Sequence, residues 1–142
     1  MLALTAGDRT VELSRSAAVR FSTLLADVCG EFPDAATATV PIPLASTDAE
    51  SVRYFCDMCH FLEGAVDAER VAMARLGVEQ VERKARELDP TLLPLVAVAR
   101  LANLANYLDA AVIVDACLAV IVARFTGKDP RGFAEAFSAI AN

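Results

Sequence analysis

Ala105-Asn106-Tyr107-Leu108-Asp109, followed by Asp115 and then by Gly127-Lys128-Asp129-Pro130 and Phe137, is the stretch on which the reading of this chain turns. Just upstream, Leu95, Val98, Leu101, Ala102 and Ala105 recur at helical spacing, so a helix is expected from Pro94 to Leu108. Pro94 suits its first turn, where a missing N–H costs no intrahelical bond. Downstream, Ala110 to Phe125 is apolar nearly all round, broken by Asp115 and Arg124, and Gly127 ends it. Asp129-Pro130 then opens a final helix carrying Phe133, Phe137 and Ile140 on one side. A helix that is apolar on every side needs cover on every side, and a chain of 142 residues leaves few elements to supply it. The expectation is an exposed apolar face near the C-terminus, and contiguous patches of that kind mark partner sites. The competing reading folds the final helix back over the patch within the monomer.

Composition bounds the rest. The length suits one domain with a real core. A net charge of -6 argues against nucleic acid, whose phosphates are met mainly by Lys and Arg. Mean hydropathy is high at +0.43, but Arg100, Asp109 and Asp115 interrupt the most apolar region, Leu92 to Ala123. No charge-free run reaches the ~20 residues that a bilayer requires, so no membrane partner is expected. The first residues lack the basic and long apolar regions of a secretory signal, and a cytoplasmic or nuclear location is expected.

Toward the N-terminus, Leu2 and Leu4, then Val11 and Leu13, alternate on either side of Gly7-Asp8, the pattern of a β-hairpin. Ser14 or Ser16 then caps one helix bearing Ala17, Phe21, Leu24, Leu25 and Val28. Gly30 to Thr39 reads as a loop. Val40-Pro41-Ile42-Pro43-Leu44 can be only a short or edge strand, because its prolines donate nothing to a ladder. Thr47 and Glu50 form a capping box for a helix with Val52, Phe55, Cys56, Cys59 and Leu62 on one face, stopped by Gly64. Asp67 to Leu88 reads as an amphipathic, largely solvated helix with Glu79–Arg83 and Glu82–Arg86 pairs one turn apart.

Catalytic chemistry finds little to build on. Cys56-Asp57-Met58-Cys59-His60 has the form of a c-type haem attachment site, but the two cysteines sit on the apolar face of a strongly patterned helix, where cysteine serves as a small core residue. Zinc needs about four ligands, and His60 is the sole histidine. Neither a phosphate-binding loop nor a nucleophile elbow occurs. No enzyme activity, cofactor or metal is expected.

The ordered set Ala105-Asn106-Tyr107-Leu108, Asp115, Gly127-Lys128, Pro130 and Phe137, with Ile42-Pro43-Leu44 as a weaker second match, resembles the Skp1 family, the adaptors that bridge a cullin to F-box proteins in ubiquitin ligases. The resemblance implies an α+β fold of BTB/POZ type over residues 1–109 and helices that bind an F-box over 110–142, all one compact unit. It carries cullin binding onto Ile42, Pro43, Leu44, Asn106 and Tyr107, and F-box binding onto Leu118, Ile121, Phe125, Phe133 and Phe137. The implied partners are a cullin N-terminal domain and an F-box protein, with a homodimer through the apolar surface when no F-box is present. Some protist members hydroxylate and glycosylate a proline in a Gly-Lys-Thr-Pro element, and Pro130 is the matching residue, with Asp129 in place of the threonine. The chain departs from the family in lacking tryptophan, in the charged helix from Asp67 to Leu88, in Cys117 standing one place from the familiar cysteine, and in Arg131-Gly132-Phe133-Ala134 after the proline. An elongin-C-like adaptor and a decoy that keeps one of the two interfaces are the alternatives. Gly127 to Phe137 speaks against the first, since that family ends after the helix bearing the Asn-Tyr pair.

Overall fold

The computed structural model describes residues 1–31, 38–42, 48–88, 90 and 94–125. Strands β1 (Leu2–Ala6) and β2 (Arg9–Leu13) pair antiparallel with Leu2 opposite Leu13 and Ala6 opposite Arg9. Gly7 takes φ 64 between them, the positive value that a tight hairpin turn demands and glycine supplies without a Cβ clash. Alternation does the rest: Leu2, Leu4, Ala6 and Leu13 point into the core.

Strand β3 (Ala38–Pro41) lies parallel to β1 and gives the sheet order β2-β1-β3. It is an edge strand, as Pro41 requires. The pairing runs one residue further, because the Ile42 N–H donates to the Thr5 carbonyl at 2.8 Å.

The expected single helix after the hairpin is two. Ser14 caps α1 (Arg15–Phe21), its hydroxyl accepting from the Ala17 N–H. The chain then breaks at Ser22, which adopts φ -133 and ψ 117, and α2 (Thr23–Glu31) begins in a new direction. Ser22 ends one helix through its N–H on the Ala18 carbonyl and caps the next by accepting from the Leu25 N–H at 3.1 Å. The apolar spacing runs unbroken across Ser22, and only tertiary contacts decide that the helix stops there.

Helix α3 (Ala49–Glu63) buries the expected face, Val52, Phe55, Cys56, Cys59 and Leu62, together with Met58. Thr47 lies outside the described residues. The cap is Asp48, whose carboxylate accepts from both the N–H and the hydroxyl of Ser51. At the other end the His60 Nε2 accepts from the Ser14 N–H at 3.1 Å, tying α3 to the start of α1.

Beyond Gly64, a 3-10 turn (Asp67–Glu69) leads into α4 (Arg70–Leu88), then α5 (Pro94–Tyr107) and α6 (Ala111–Phe125). The Arg70 guanidinium stacks over the Phe21 ring at 5.4 Å and pairs with Asp67, fixing the entry to α4. The helix is amphipathic, as expected: Ala74, Gly77, Val78, Val81, Glu82 and Ala85 are buried, α4 packs on α3, α5 and α6, and most of its other residues are exposed. Gly77 permits the approach to α3, since a Cβ there would stand 3.2 Å from the Met58 methyl. Glu82 does not turn to Arg86, as its spacing suggested, but to Arg124 on α6.

The protein is thus α+β and mostly helical, with a three-stranded sheet and six α-helices among the described residues. Helix α3 is the pivot, packing on β2 and α1 on one side and on α4 and α5 on the other. Among the described residues, a continuous apolar core runs from Leu2 in β1 to Val120 in α6.

Candidate interaction surfaces

The end of α5 is where the expected partner residues come to the surface. Ala97, Val98, Leu101, Leu104, Ala105 and Leu108 face inward, which turns Asn106 and Tyr107 outward. Tyr107 remains 47% exposed. The helix closes in a Schellman arrangement: the Ala110 N–H donates to the Ala105 carbonyl at 2.8 Å and the Asp109 N–H to the Asn106 carbonyl at 3.1 Å. Asp109 occupies the left-handed position at φ 53, which aspartate tolerates better than most side chains. The apolar contact that accompanies such a cap comes from Ala105 and Ala110, both fully buried.

This end is also the place where α2 docks. The Ser22 hydroxyl donates to the Leu108 carbonyl at 2.6 Å, the Leu24 N–H reaches the same oxygen at 3.3 Å, and the Thr23 N–H donates to the Asp109 carbonyl at 3.2 Å. Carbonyls left over at one helix C-terminus therefore meet N–H groups left over at another helix N-terminus. Their partial charges are opposite, so the head-to-tail contact is favourable electrostatically as well. Ser22 is 1% exposed and has every polar group satisfied.

Helix α6 presents the second surface. Ile113, Ala116, Cys117 and Val120 form its buried face. On the opposite side stand Leu118 at 51% and Val122 at 64% exposed, with Ile121 half-buried beside them. The near-uniform apolarity of α6 therefore resolves into a packed face and an outward face. The far end is fastened by Arg124, whose Nε and Nη2 form a two-pronged pair with the buried Glu82 carboxylate at 2.8 to 3.3 Å. The hydrogen bonds that Arg124 donates to the Glu82 carboxylate raise the Arg124 pKa further above its already high ordinary value.

The predicted site residues thus fall into three groups. Asn106 and Tyr107 are exposed side by side, and Leu118 and Ile121 lie together on α6. Ile42 is 5% exposed and belongs to the apolar core. Pro43, Leu44, Pro130, Phe133 and Phe137 lie outside the described residues, as does the side chain of Phe125.

The cysteine motif resolves as core. Cys56 and Cys59 are buried in α3, and burial pushes the Cys56 thiol up to about 12 and the Cys59 thiol higher still. Such thiols are poor nucleophiles, since attack requires the thiolate. Among the described residues, no three His, Cys, Asp or Glu side chains gather as a metal site, and no helix is long and apolar enough to cross a membrane. The polar residues that hold the two surfaces, Ser22, Asp109, Glu82 and Arg124, carried no sequence signal beyond a serine and a glutamate on otherwise inward-facing helical positions.

No family model matches this chain, and neither a curated protein nor a solved structure does. The class that can be stated is that of the fold: an α+β chain with a small sheet, a helical majority and two outward-facing surfaces on its last described helices.

Proposed function

We propose that this chain is a non-enzymatic adaptor of the Skp1 type, with a BTB/POZ-like core, linking a cullin scaffold to an F-box protein. The observation that carries the reading is the exposure of Asn106 and Tyr107 at the end of α5, within the run of residues that resembles the family. An aromatic ring with a hydroxyl suits a part-wet interface and is enriched where interfaces concentrate their binding energy. The outward row on α6, Leu118 with Ile121 and Val122, supplies a second apolar surface on a different helix. Two separate surfaces on one packed body are what an adaptor needs, because its mechanism is geometric: it holds two partners at a fixed separation.

In this reading the cullin meets Asn106 and Tyr107, with Pro43 and Leu44 as further candidates and Ile42 supporting them from within the core. The F-box helices meet Leu118, Ile121 and the segment beyond Phe125. The setting is cytoplasmic or nuclear.

The test is a binding measurement of the purified chain against a cullin N-terminal domain and, separately, an F-box domain. Tyr107→Lys is expected to weaken the cullin complex by about ten-fold or more while leaving F-box binding in place. Leu118→Asp should do the reverse. Failure of the unmodified chain to bind either domain overturns the adaptor reading, and binding to only one supports a single-interface decoy.

A further inference from the structure

Leu118, 51% exposed, stands in the middle of the outward side of α6, with Val122 one turn further on and Val114 and Ile121 half-buried beside it. Positions 114, 118, 121 and 122 make one helical stripe. The chain that follows α6 matches this stripe in pattern and in length. Phe133, Phe137 and Ile140 recur at the same helical spacing, after Gly127 as a stop signal and Asp129-Pro130 as a start signal. Thr126 to Asp129 is a four-residue link, within the range of roughly 2–5 residues that joins antiparallel helices. Both helices advance about 1.5 Å per residue. A helix that starts at Pro130 and returns along α6 therefore brings Phe133 level with Val122, Phe137 level with Leu118, and Ile140 level with Asp115, one place from Val114.

We propose that residues 130–140 of this same chain cover the outward face of α6 when no partner is bound, with Phe137 seated on Leu118. The tether selects this occupant over a second copy. A link this short holds the segment near the face at an effective concentration of about millimolar, well above that of an ordinary protein solution. The contact is a displaceable cover. A partner that uses the α6 face competes with the chain's own segment, and its apparent affinity is reduced to the extent that the face is closed. The inference stands apart from the adaptor reading, since it concerns the chain by itself.

The experiment is amide hydrogen exchange of the full free chain, read by mass spectrometry on peptides covering residues 130–140. In the unmodified chain these amides are expected to exchange at least about ten-fold more slowly than those of an unstructured peptide of the same sequence. Leu118→Asp, at an exposed position, should bring them to within about two-fold of the unstructured rates while peptides from α3 and α5 keep their protection. Phe137→Asp, which alters no residue of the described core, should do the same from the other side of the contact. Glu135→Gln, off the apolar side of the segment, should leave the protection in place. Exchange of the unmodified segment at unstructured rates overturns the cover. So does protection that both aspartate variants leave intact, which would seat the segment elsewhere. Protection that disappears on dilution also overturns it, and assigns the face to a second copy. No partner is present in this experiment, so none of these results decides the adaptor reading.

Discussion

Tyr107 at the end of α5 and Leu118 on α6 are exposed to nearly the same degree, 47% and 51%, yet what lies beneath them differs. Under Tyr107 is a lattice of directional bonds, in which the Leu108 and Asp109 carbonyls are held by Ser22, Thr23 and Leu24. Under Leu118 is dense apolar packing, with Cys117 and Ile113 fully buried and the ion pair from Arg124 to Glu82 fastening the end. Hydrogen bonds fix an orientation because they are directional. Apolar packing fixes a depth and tolerates repacking. The first surface is therefore built to hold a side chain in one place, and the second to offer area.

The largest expected effect acts on the packed regions. Burial raises the pKa of the Cys117 and Cys56 thiols to about 12, against 9.0 for a free thiol, and moves that of Cys59 the same way. The folded state therefore keeps these protons while the unfolded chain releases them. Their contribution to stability is complete below pH 9.0 and is lost as pH rises toward about 12. The loss should approach about 1.4 kcal/mol per thiol for each pH unit in that window. Urea midpoints between pH 8 and 11 measure it, and Cys117→Ala should make the dependence shallower. A flat profile would mean that the thiols are not packed as described.

A smaller effect separates the ion pair from the packing around it. Arg124→Ala leaves the buried Glu82 carboxylate without its partner and should cost about 2 kcal/mol, less than a fully buried pair because the arginine is partly in water. Denaturant unfolding at neutral pH reads this, and a loss below about 0.5 kcal/mol would place the pair among ordinary surface bridges.

The smallest expected change has the opposite sign and belongs to the other surface. Asp109 sits at φ 53, where glycine is free of Cβ strain. Asp109→Gly should stabilise the chain by about 0.5 kcal/mol, seen as a raised unfolding midpoint. Destabilisation instead would assign the Asp109 carboxylate a structural role in the junction.

The local elements were readable because their signals are local. The hairpin follows from alternation around Gly7, the buried face of α3 from helical spacing, and the ends of α5 and α6 from Pro94 and the residues after Leu108. The capping box at Thr47 missed by one residue because Asp48 offers a better acceptor and Ser51 satisfies it twice. Where long-range partners intervene, spacing misled. Glu82 has an arginine one turn away in Arg86, but Arg124, 42 positions later, takes it. Ser22 looks like an interior helical position until the Leu108 carbonyl, 86 positions away, arrives at its hydroxyl. Ile42, a partner residue by resemblance, is buried and extends the ladder through its N–H on the Thr5 carbonyl.

From periodicity and turn residues alone come a hairpin start, an edge strand weakened by proline, and an apolar helix from Ala110 to Phe125. All of these depend on neighbours within a few residues, where backbone geometry and the hydrophobic pattern suffice. The break at Ser22, the docking of α2 on α5, the choice of Arg124 by Glu82 and the side of α6 that faces out depend on which distant groups become neighbours. A polar group buried by folding must find a partner or bear a desolvation penalty of about 1–3 kcal/mol, and that partner exists only once the helices have packed.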